Sequence, residues 1–326
     1  MCLSHPPRLR DLRMNWTDHP RPYRYRLFGL QIDSDLHLPE LFEGDPDLPP
    51  DVTVELGAVP VTGDFDEGLH AVDRGTLLVI DDVARYFVSD GERLVVEPAA
   101  GVSERNVRIY LLGSVAGLLA HKRGFLPLHA NAIEIDGRIV AFMGESGAGK
   151  STLAAWLNGH GFPLLADDIA VVDFDAGVPE VLPGLARLRL WDTVIEATGR
   201  NPVDFALSFE GDPSYRKRDV MVNTSAVAAE PTNLGLLVEL GRDGPLFEPL
   251  QGTRAAEAVI AHTYRGGFVK TLNSAQGHWA MCMRLIHAVP VYRANVDFDL
   301  ARLDDSYRPL LEQVKAVLAE QANGDS

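Results

Sequence analysis

Residues 138–157 read RIVAFMGESGAGKSTLAAWL, and this stretch decides the fold of the chain around it. The apolar run over 139–143 predicts a buried strand, and the apolar residues Leu153, Trp156 and Leu157 recur at helical spacing. Between them, residues 144–151 match the pattern GxxxxGK[ST] at every defined position. A strand, a glycine-rich loop and a helix in this order predict an α/β domain with a phosphate-binding loop.

The residue types of this loop have a chemical explanation. Glycines let backbone N–H groups turn towards phosphate oxygens, and the following helix adds the partial positive charge of its N-terminus. Lys150 is expected to reach the β- and γ-phosphates, and the Ser151 hydroxyl to bind Mg²⁺. We therefore expect ATP and Mg²⁺ as cofactors. The expected binding residues are Gly144, Glu145, Ser146, Gly147, Ala148, Gly149, Lys150, Ser151 and Thr152.

Two adjacent acids, Asp167 and Asp168, end the apolar strand predicted over 163–166. The short β-loop-α-β unit should bring them beside the loop. Because neighbouring residues on a strand face opposite sides, one acid can face a metal ion while the other faces an acceptor hydroxyl. The alternative is an exposed Asp-Asp turn with no role in a site. His129 precedes the strand pair that leads into the loop, and it is either a site residue or a structural one.

The composition limits the classes of function. The chain has 326 residues, of which 46% are hydrophobic, and a formal net charge of −16. An acidic chain has no general attraction for nucleic acids or anionic membranes, so we expect neither as a partner. Cys2 and Cys282 cannot form a disulfide framework, and neither lies in a zinc-type cluster. The first ten residues lack the apolar core of a signal peptide, and we expect a cytoplasmic protein.

The pattern along the chain predicts three regions. Residues 1–22, rich in Arg and Pro, are expected to be a flexible arm. Residues 23–100 are expected to form a small β-rich domain, and residues 101–326 a catalytic α/β domain. Strands are predicted over 23–32, 52–56, 76–80, 84–88, 93–97, 132–135, 138–143, 163–166, 169–174, 188–191, 236–240 and 289–293. Helices are predicted over 104–121, from the loop to 160, and over 252–262, 275–287 and 307–321.

The segment LHANAIEIDGRIVAFMGESGAGKSTLAAWLNGHGFPLLADD, residues 128–168, resembles the catalytic core of bacterial HPr kinase/phosphorylase. A histidine ahead of the loop, the GKS ending and an Asp-Asp pair on the next strand recur in that order. The resemblance implies a P-loop kinase domain of HPr-kinase type, with Asp167 as general base. Asp168 and His129 would support it, Lys150 would act on the phosphates, and Ser151 and Asp168 would hold Mg²⁺.

The chain departs from the HPr kinases in two places. Residues 183–191, PGLARLRLW, lack the glycine-rich signature of that family, and Thr152 stands where the family usually has Glu. The segments YRLFGLQIDSDLHLPEL, residues 25–41, and VSDGERLVVEP, residues 88–98, resemble the HPr-kinase-related proteins found beside peptide-modification genes. That group includes the lasso-peptide kinases, which implies a ribosomally made precursor peptide as the acceptor.

Three functions remain open from the sequence. The first is an ATP-dependent kinase that phosphorylates a serine hydroxyl of a peptide or protein. The second is a small-molecule kinase, and the third is a regulatory nucleotide-binding ATPase without an acceptor. The basic run at Arg216, Lys217 and Arg218 either contacts the substrate or is a solvated turn. The sequence indicates no oligomeric state.

Overall fold

The computed structural model describes residues 22–185, 187–222, 230–297 and 299–324. The chain divides into two compact units. The first comprises Met1–Arg26 and Leu30–Val107, and the second comprises Leu27–Gly29 and Arg108–Ser326. The arm predicted over residues 1–22 lies outside the described residues except for Pro22. No helix in the described ranges is long and apolar enough to span a membrane.

The first unit is built on an eight-stranded sheet with the order β3-β1-β2-β4-β8-β7-β6-β5. β2, β4 and β8 pair in parallel, whereas β5 to β8 form an antiparallel meander. Its strands are β1 (Tyr23–Leu27), β2 (Leu30–Ser34), β3 (Phe42–Glu43), β4 (Val52–Leu56), β5 (Gly68–Val72), β6 (Gly75–Ile80), β7 (Ala84–Ser89) and β8 (Arg93–Pro98).

The strands predicted in this region are present, with one division. Residues 23–32 form two strands because Phe28 and Gly29 both have positive φ, 52° and 73°, and turn the chain back. The alternating residues Leu77, Val79 and Phe87 lie in a buried core cluster, as the period of two predicts. The short strands β3 and β5 were not predicted, since β3 has two residues and β5 has no buried one.

The second unit is mixed α/β. Its strands are β9 (Leu126–Leu128), β10 (Ala130–Ile135), β11 (Arg138–Met143), β12 (Leu164–Ala166), β13 (Ala170–Asp173), β14 (Glu180–Leu182), β15 (Arg187–Trp191), β16 (Lys217–Met221), β17 (Thr232–Gly241), β18 (Phe247–Leu250) and β19 (Val291–Asn295). Its helices are α1 (Glu104–Tyr110), α2 (Ala116–Lys122), α3 (Lys150–Gly159), α4 (Asp192–Ala197), α5 (Thr253–Ala261), α6 (Phe268–Thr271), α7 (Ala275–Ala288) and α8 (Leu303–Gly324).

The large sheet of this unit has the order β12-β10-β11-β17-β14-β13-β9, with β19 and β18 continuing from β17. β11 and β19 both run parallel to β17. β15 and β16 form a separate two-stranded antiparallel sheet, which we call the β15–β16 sheet, and residues 192–216 between them include α4. Because β11 leads into the glycine-rich loop, the loop lies at the carboxyl end of the parallel strands.

Helices cover both faces of the large sheet. On one face, Phe142 packs with Trp156 of α3 and Tyr307 of α8. On the other face, Met143 packs with Val259 of α5 and with α7. The alternation along β11 therefore holds the loop between two buried cores, which fixes the position at which the chain leaves the strand.

The helix predicted over 104–121 is present but interrupted. Leu111–Val115 forms a π-helical segment between α1 and α2. Such segments are rare and are frequently found at functional sites.

Candidate phosphate-binding site

The loop between β11 and α3 follows a path that requires glycine. Gly144, Gly147 and Gly149 have φ values of 153°, 85° and 97°, which L side chains rarely adopt. A Cβ atom at Gly144 would lie 3.0 Å from the Cβ of Ala148 and 3.1 Å from the carbonyl oxygen of Leu240. The glycines therefore set the backbone path, and α3 begins at the end of the loop.

Lys150 folds back across this loop. Its ammonium group donates hydrogen bonds to the carbonyl oxygens of Gly144, at 2.5 Å, and Glu145, at 3.2 Å. The residue is 7% exposed. Burial lowers the pKa of Lys150, and the nearby charges of Asp168 and Asp167 oppose that shift. The cation is thus held at the loop by its carbonyl groups and faces an acidic pair.

A cavity of about 610 Å³ opens beside the loop. We call it the first cavity. The residues predicted for the site that line it are His129, Ser146, Gly147, Gly149, Lys150, Ser151, Thr152 and Asp168. The predicted residues that do not line it are Gly144, Glu145, Ala148 and Asp167. The other lining residues are Asn131, Arg189, Leu190, Trp191, Thr193, Val194, Lys217 and Leu300.

Asp167 is buried, with 5% of its surface exposed. Its Oδ1 accepts a hydrogen bond from the Asn131 side-chain amide, and its Oδ2 accepts one from the Arg189 backbone N–H at 2.9 Å. Burial raises the pKa of Asp167 to about 6, and the neighbouring charge of Asp168 adds to the shift. Asp167 therefore joins β10 to β15 and is held within the protein.

Asp168 faces the cavity. Its side chain is 37% exposed, and its backbone φ of 69° takes it out of the regular strand geometry. Nδ1 of His129 lies 3.1 Å from Oδ1 of Asp168 and 3.1 Å from its carbonyl oxygen. Because both oxygens are acceptors, Nδ1 carries the proton in this pair. His129 and Arg189, whose guanidinium Nη1 lies 3.9 Å from Oδ2 of Asp168, are thus the basic groups beside this carboxylate.

The two acids have opposite electrostatic environments. Burial alone would raise the pKa of Asp168. Its hydrogen bond and charge interaction with His129, together with Arg189 and Lys217, instead hold the pKa of that carboxyl well below its usual range. At neutral pH Asp168 is consequently a carboxylate that faces the cavity.

A second group of residues holds His129 in place. The His129 backbone N–H donates to the His262 carbonyl oxygen at 2.7 Å. The His262 ring contacts Glu239 at 3.1 Å, and Glu239 also accepts hydrogen bonds from Arg293 at 2.9 and 2.6 Å. Glu239 lies beside Met143 in the sheet, one residue before the loop. This buried network connects the end of the loop strand to the histidine.

The β15–β16 sheet supplies another wall of the first cavity. Arg189, Trp191 and Lys217 line the cavity, and the Lys217 ammonium lies 5.4 Å from the Trp191 ring centroid. The other two cations of the basic run are engaged elsewhere: Arg216 and Arg218 both pair with Asp192, at 2.8 and 2.6 Å. Of that run, Lys217 alone lines the first cavity.

The arrangement is suited to a polyphosphate. Lys150, Arg189 and Lys217 bring three cations to one cavity in a chain of net charge −16, together with the backbone N–H groups of a glycine-rich loop. Ser151 and Asp168 line the same cavity and offer the oxygen ligands that Mg²⁺ prefers. Within the described ranges, no three His, Cys, Asp or Glu residues form a metal-binding group.

Some site residues were missed in the sequence. Asn131 carries no pattern that distinguishes it from any polar strand residue. Arg189 alternates with the apolar Leu188 and Leu190 on β15, which indicates a polar face but not what that face contacts. Lys217 was not missed: it belongs to the basic run for which the sequence left open a substrate contact or a solvated turn, and it lines the cavity.

Comparisons with known proteins add little. No protein-family model and no curated protein matches the chain. Among solved structures, the chain is similar to the Hpr(Ser) kinase/phosphatase from Coxiella burnetii, with a TM-score of 0.25 and 16% sequence identity. That likeness covers 38% of this chain and 76% of the other. A TM-score of this size carries no argument about function.

Proposed function

We propose that the chain is an ATP-dependent phosphotransferase of the P-loop type. The observation that carries this proposal is a single cavity lined by the glycine-rich loop, Lys150 and a carboxylate, Asp168. In the proposed complex, backbone N–H groups of the loop and the α3 N-terminus bind the β-phosphate. Lys150 turns from its carbonyl partners to the β- and γ-phosphates.

Mg²⁺ is the metal that this site would hold. Ser151 is its candidate protein ligand, since Mg²⁺ is usually bound by one or two protein groups together with substrate phosphates. Asp168, which the resemblance also gives as a ligand, is instead the proposed proton acceptor. When bound, it neutralises charge on the phosphates as the transfer proceeds. Arg189 and Lys217 stand opposite the loop and supply further positive charge to the transferring group.

The proposed transfer uses Asp168 rather than Asp167 as the residue that contacts the acceptor. The acceptor oxygen forms a bond to the γ-phosphorus while the bond from that phosphorus to its bridging oxygen breaks. ADP leaves with the bonding electrons, and the hydroxyl proton passes to Asp168. A raised pKa favours Asp167 as a base, but a base must first reach the proton. Asp167 has both oxygens bonded inside the protein, whereas Asp168 lines the cavity.

The acceptor we propose is a serine hydroxyl of a peptide or protein. What supports it is the resemblance of residues 128–168 to HPr kinases and of residues 25–41 and 88–98 to the kinases of peptide-modification systems. The cavity itself is compatible with any alcohol brought to Asp168. A small-molecule acceptor, or slow hydrolysis without an acceptor, would leave the nucleotide part of the proposal intact.

The test measures nucleotide binding and phosphate transfer on the same preparations. Lys150→Ala should weaken Mg-ATP binding and reduce transfer by about 10²–10³-fold, the size that loss of one electrostatic donor has at other active sites. Lys270→Ala is the matched control, because Lys270 is an exposed lysine on α6 that does not line the first cavity. Unchanged ATP affinity and turnover in folded Lys150→Ala protein would contradict the proposal.

A further inference from the structure

A second cavity of about 410 Å³ lies on the other side of Asp168 and Arg189. Both residues line the first cavity as well, so the two cavities share a wall at the proposed reacting carboxylate. The remaining residues of the second cavity are Ile109, Tyr110, Gly113, Ser114, Phe209, Asp212, Tyr215, Tyr264 and Arg265. Its volume falls in the range of about 300–1,000 Å³ typical of small-ligand pockets.

Aromatic rings form a continuous series along this cavity. Tyr110 and Phe209 meet edge to face, with centroids 6.5 Å apart, and Phe209 and Tyr215 do the same at 6.1 Å. Tyr215 lies 6.0 Å from Trp191, which belongs to the first cavity and is 45% exposed. Aromatic side chains of this kind dominate the energetics of binding interfaces. The series therefore offers a ligand a ring-lined path that ends beside Asp168.

The back of the second cavity depends on small residues in the interrupted helix. A Cβ atom at Gly117 would lie 2.5 Å from Cδ1 of Tyr264, and one at Gly113 would lie 3.5 Å from its hydroxyl oxygen. The Tyr264 carbonyl oxygen also bonds the His121 ring at 2.9 Å. Gly113 of the π-helical segment and Gly117 of α2 thus let the Tyr264 ring pack against the helix as a buried wall.

The second cavity carries charges of both signs, with Arg189 and Arg265 against Asp168 and Asp212. The backbone N–H and hydroxyl of Ser214 donate to Asp212 at 2.8 and 2.6 Å, and these hydrogen bonds lower the pKa of Asp212, so it stays a carboxylate at neutral pH. Arg265 is exposed, its guanidinium lies 6.0 Å from the Tyr264 ring centroid, and it hydrogen-bonds the Tyr264 side chain. Arg265 is thus the exposed cation of this cavity, and an anionic group of a ligand would bind there.

We propose that the second cavity binds the acceptor, a peptide in which the phosphorylated serine stands beside an aromatic residue and close to an acidic one. The aromatic side chain packs on Tyr110, Phe209 and Tyr215. The acidic group binds Arg265, and the serine hydroxyl reaches Asp168 at the shared wall. The inference rests on the proposed phosphotransferase function and deepens it by naming the class of acceptor.

The experiment uses labelled ATP and an array of short serine peptides. The residue on either side of the serine is varied among Ala, Leu, Phe, Trp, Glu and Lys. Wild-type protein should transfer phosphate to peptides with an aromatic and an acidic neighbour about tenfold faster than to the alanine peptide. Phe209→Leu and Tyr110→Leu should remove the aromatic preference, and Arg265→Gln the acidic one, with unchanged ATP affinity. The control variants are Trp279→Leu, an exposed Trp on α7 outside both cavities, and Lys270→Gln.

Each outcome separates this inference from the proposed function. If no peptide accepts phosphate, or if the preference persists in both Phe209→Leu and Tyr110→Leu, the acceptor assignment is wrong, while ATP binding that depends on Lys150 still stands. If the variants of the second cavity weaken ATP binding instead, the cavity belongs to the nucleotide. If Lys150→Ala leaves ATP binding unchanged, the proposed function itself has failed.

Discussion

The phosphate loop and the β15–β16 sheet line the same cavity, but they present different kinds of group to it. The loop presents backbone, along a path that its glycines set with φ values of 153°, 85° and 97°. The β15–β16 sheet presents side chains: Arg216 and Arg218 are paired with Asp192, and Arg189 and Lys217 line the cavity. The loop should therefore be sensitive to any change of shape, and the sheet only to changes at particular residues.

Of the changes that compare the loop with the β15–β16 sheet, a change of shape in the loop should have the largest effect. Gly144→Ala places a Cβ atom 3.0 Å from Ala148 and 3.1 Å from the Leu240 carbonyl oxygen, at a φ of 153°. The strain is about 1–3 kcal/mol, and relieving it would move the loop. We expect Mg-ATP affinity to fall by about 10–10²-fold. Titration calorimetry measures it, with Gly159→Ala in α3 as the control, where a Cβ atom meets open space.

Removal of a charge in the β15–β16 sheet should have a smaller effect on phosphate transfer, and only where the charged residue lines the cavity. Lys217→Gln removes a cation that lines the first cavity, and the expected loss in transfer is about tenfold, the size of one charge-assisted hydrogen bond. Arg216→Gln removes an exposed cation already paired with Asp192, and transfer should stay within about twofold of wild type. Equal losses of transfer in the two variants would mean that the overall positive charge of the β15–β16 sheet, rather than the position of Lys217 in the cavity, explains its contribution.

The network behind His129 should affect the stability of the protein more than phosphate transfer. Hydrogen bonds from His262 and then Arg293 lower the pKa of Glu239. Because the folded-state pKa lies below the ordinary 4.5, this stabilisation is complete at neutral pH and is lost as the pH falls through the folded-state value. Glu239→Gln should reduce the free energy of unfolding at pH 7 by about 1–3 kcal/mol. Denaturant titrations at several pH values should show that difference shrinking towards acid pH.

The loop and the β15–β16 sheet also differ in how far the sequence predicts them. The loop is contiguous, so the pattern over 144–151 predicts the strand, the glycine positions and the helix together. The β15–β16 sheet brings Arg189 and Lys217 together from two strands, and a pairing between distant strands has no local signal. Of the acidic pair, Asp168 lines the cavity beside the loop and Asp167 does not. Which acid faces the cavity depends on the positive φ of Asp168, which strand alternation does not predict.

The strands of both units also differ in whether their own sequence predicts them. Those with alternating apolar residues, such as Gly75–Ile80 and Ala84–Ser89, were predicted to within a residue or two. The strands Leu126–Leu128 and Glu180–Leu182 of the second unit have three residues each, too few for a period to be visible. Their pairing to Ala170–Asp173 comes from the tertiary fold rather than from their own sequence.

The most direct test of the account compares the two adjacent acids. Asp168→Asn and Asp167→Asn are each assayed for labelled-phosphate transfer and for Mg-ATP affinity, with melting temperature as the check on folding. If Asp168 accepts the hydroxyl proton, Asp168→Asn should reduce transfer by about 10²–10⁴-fold while ATP still binds. Asp167→Asn should retain transfer to within about tenfold, because its side-chain oxygen still accepts the Arg189 N–H. The reverse order of losses would contradict the account and return the role of base to Asp167.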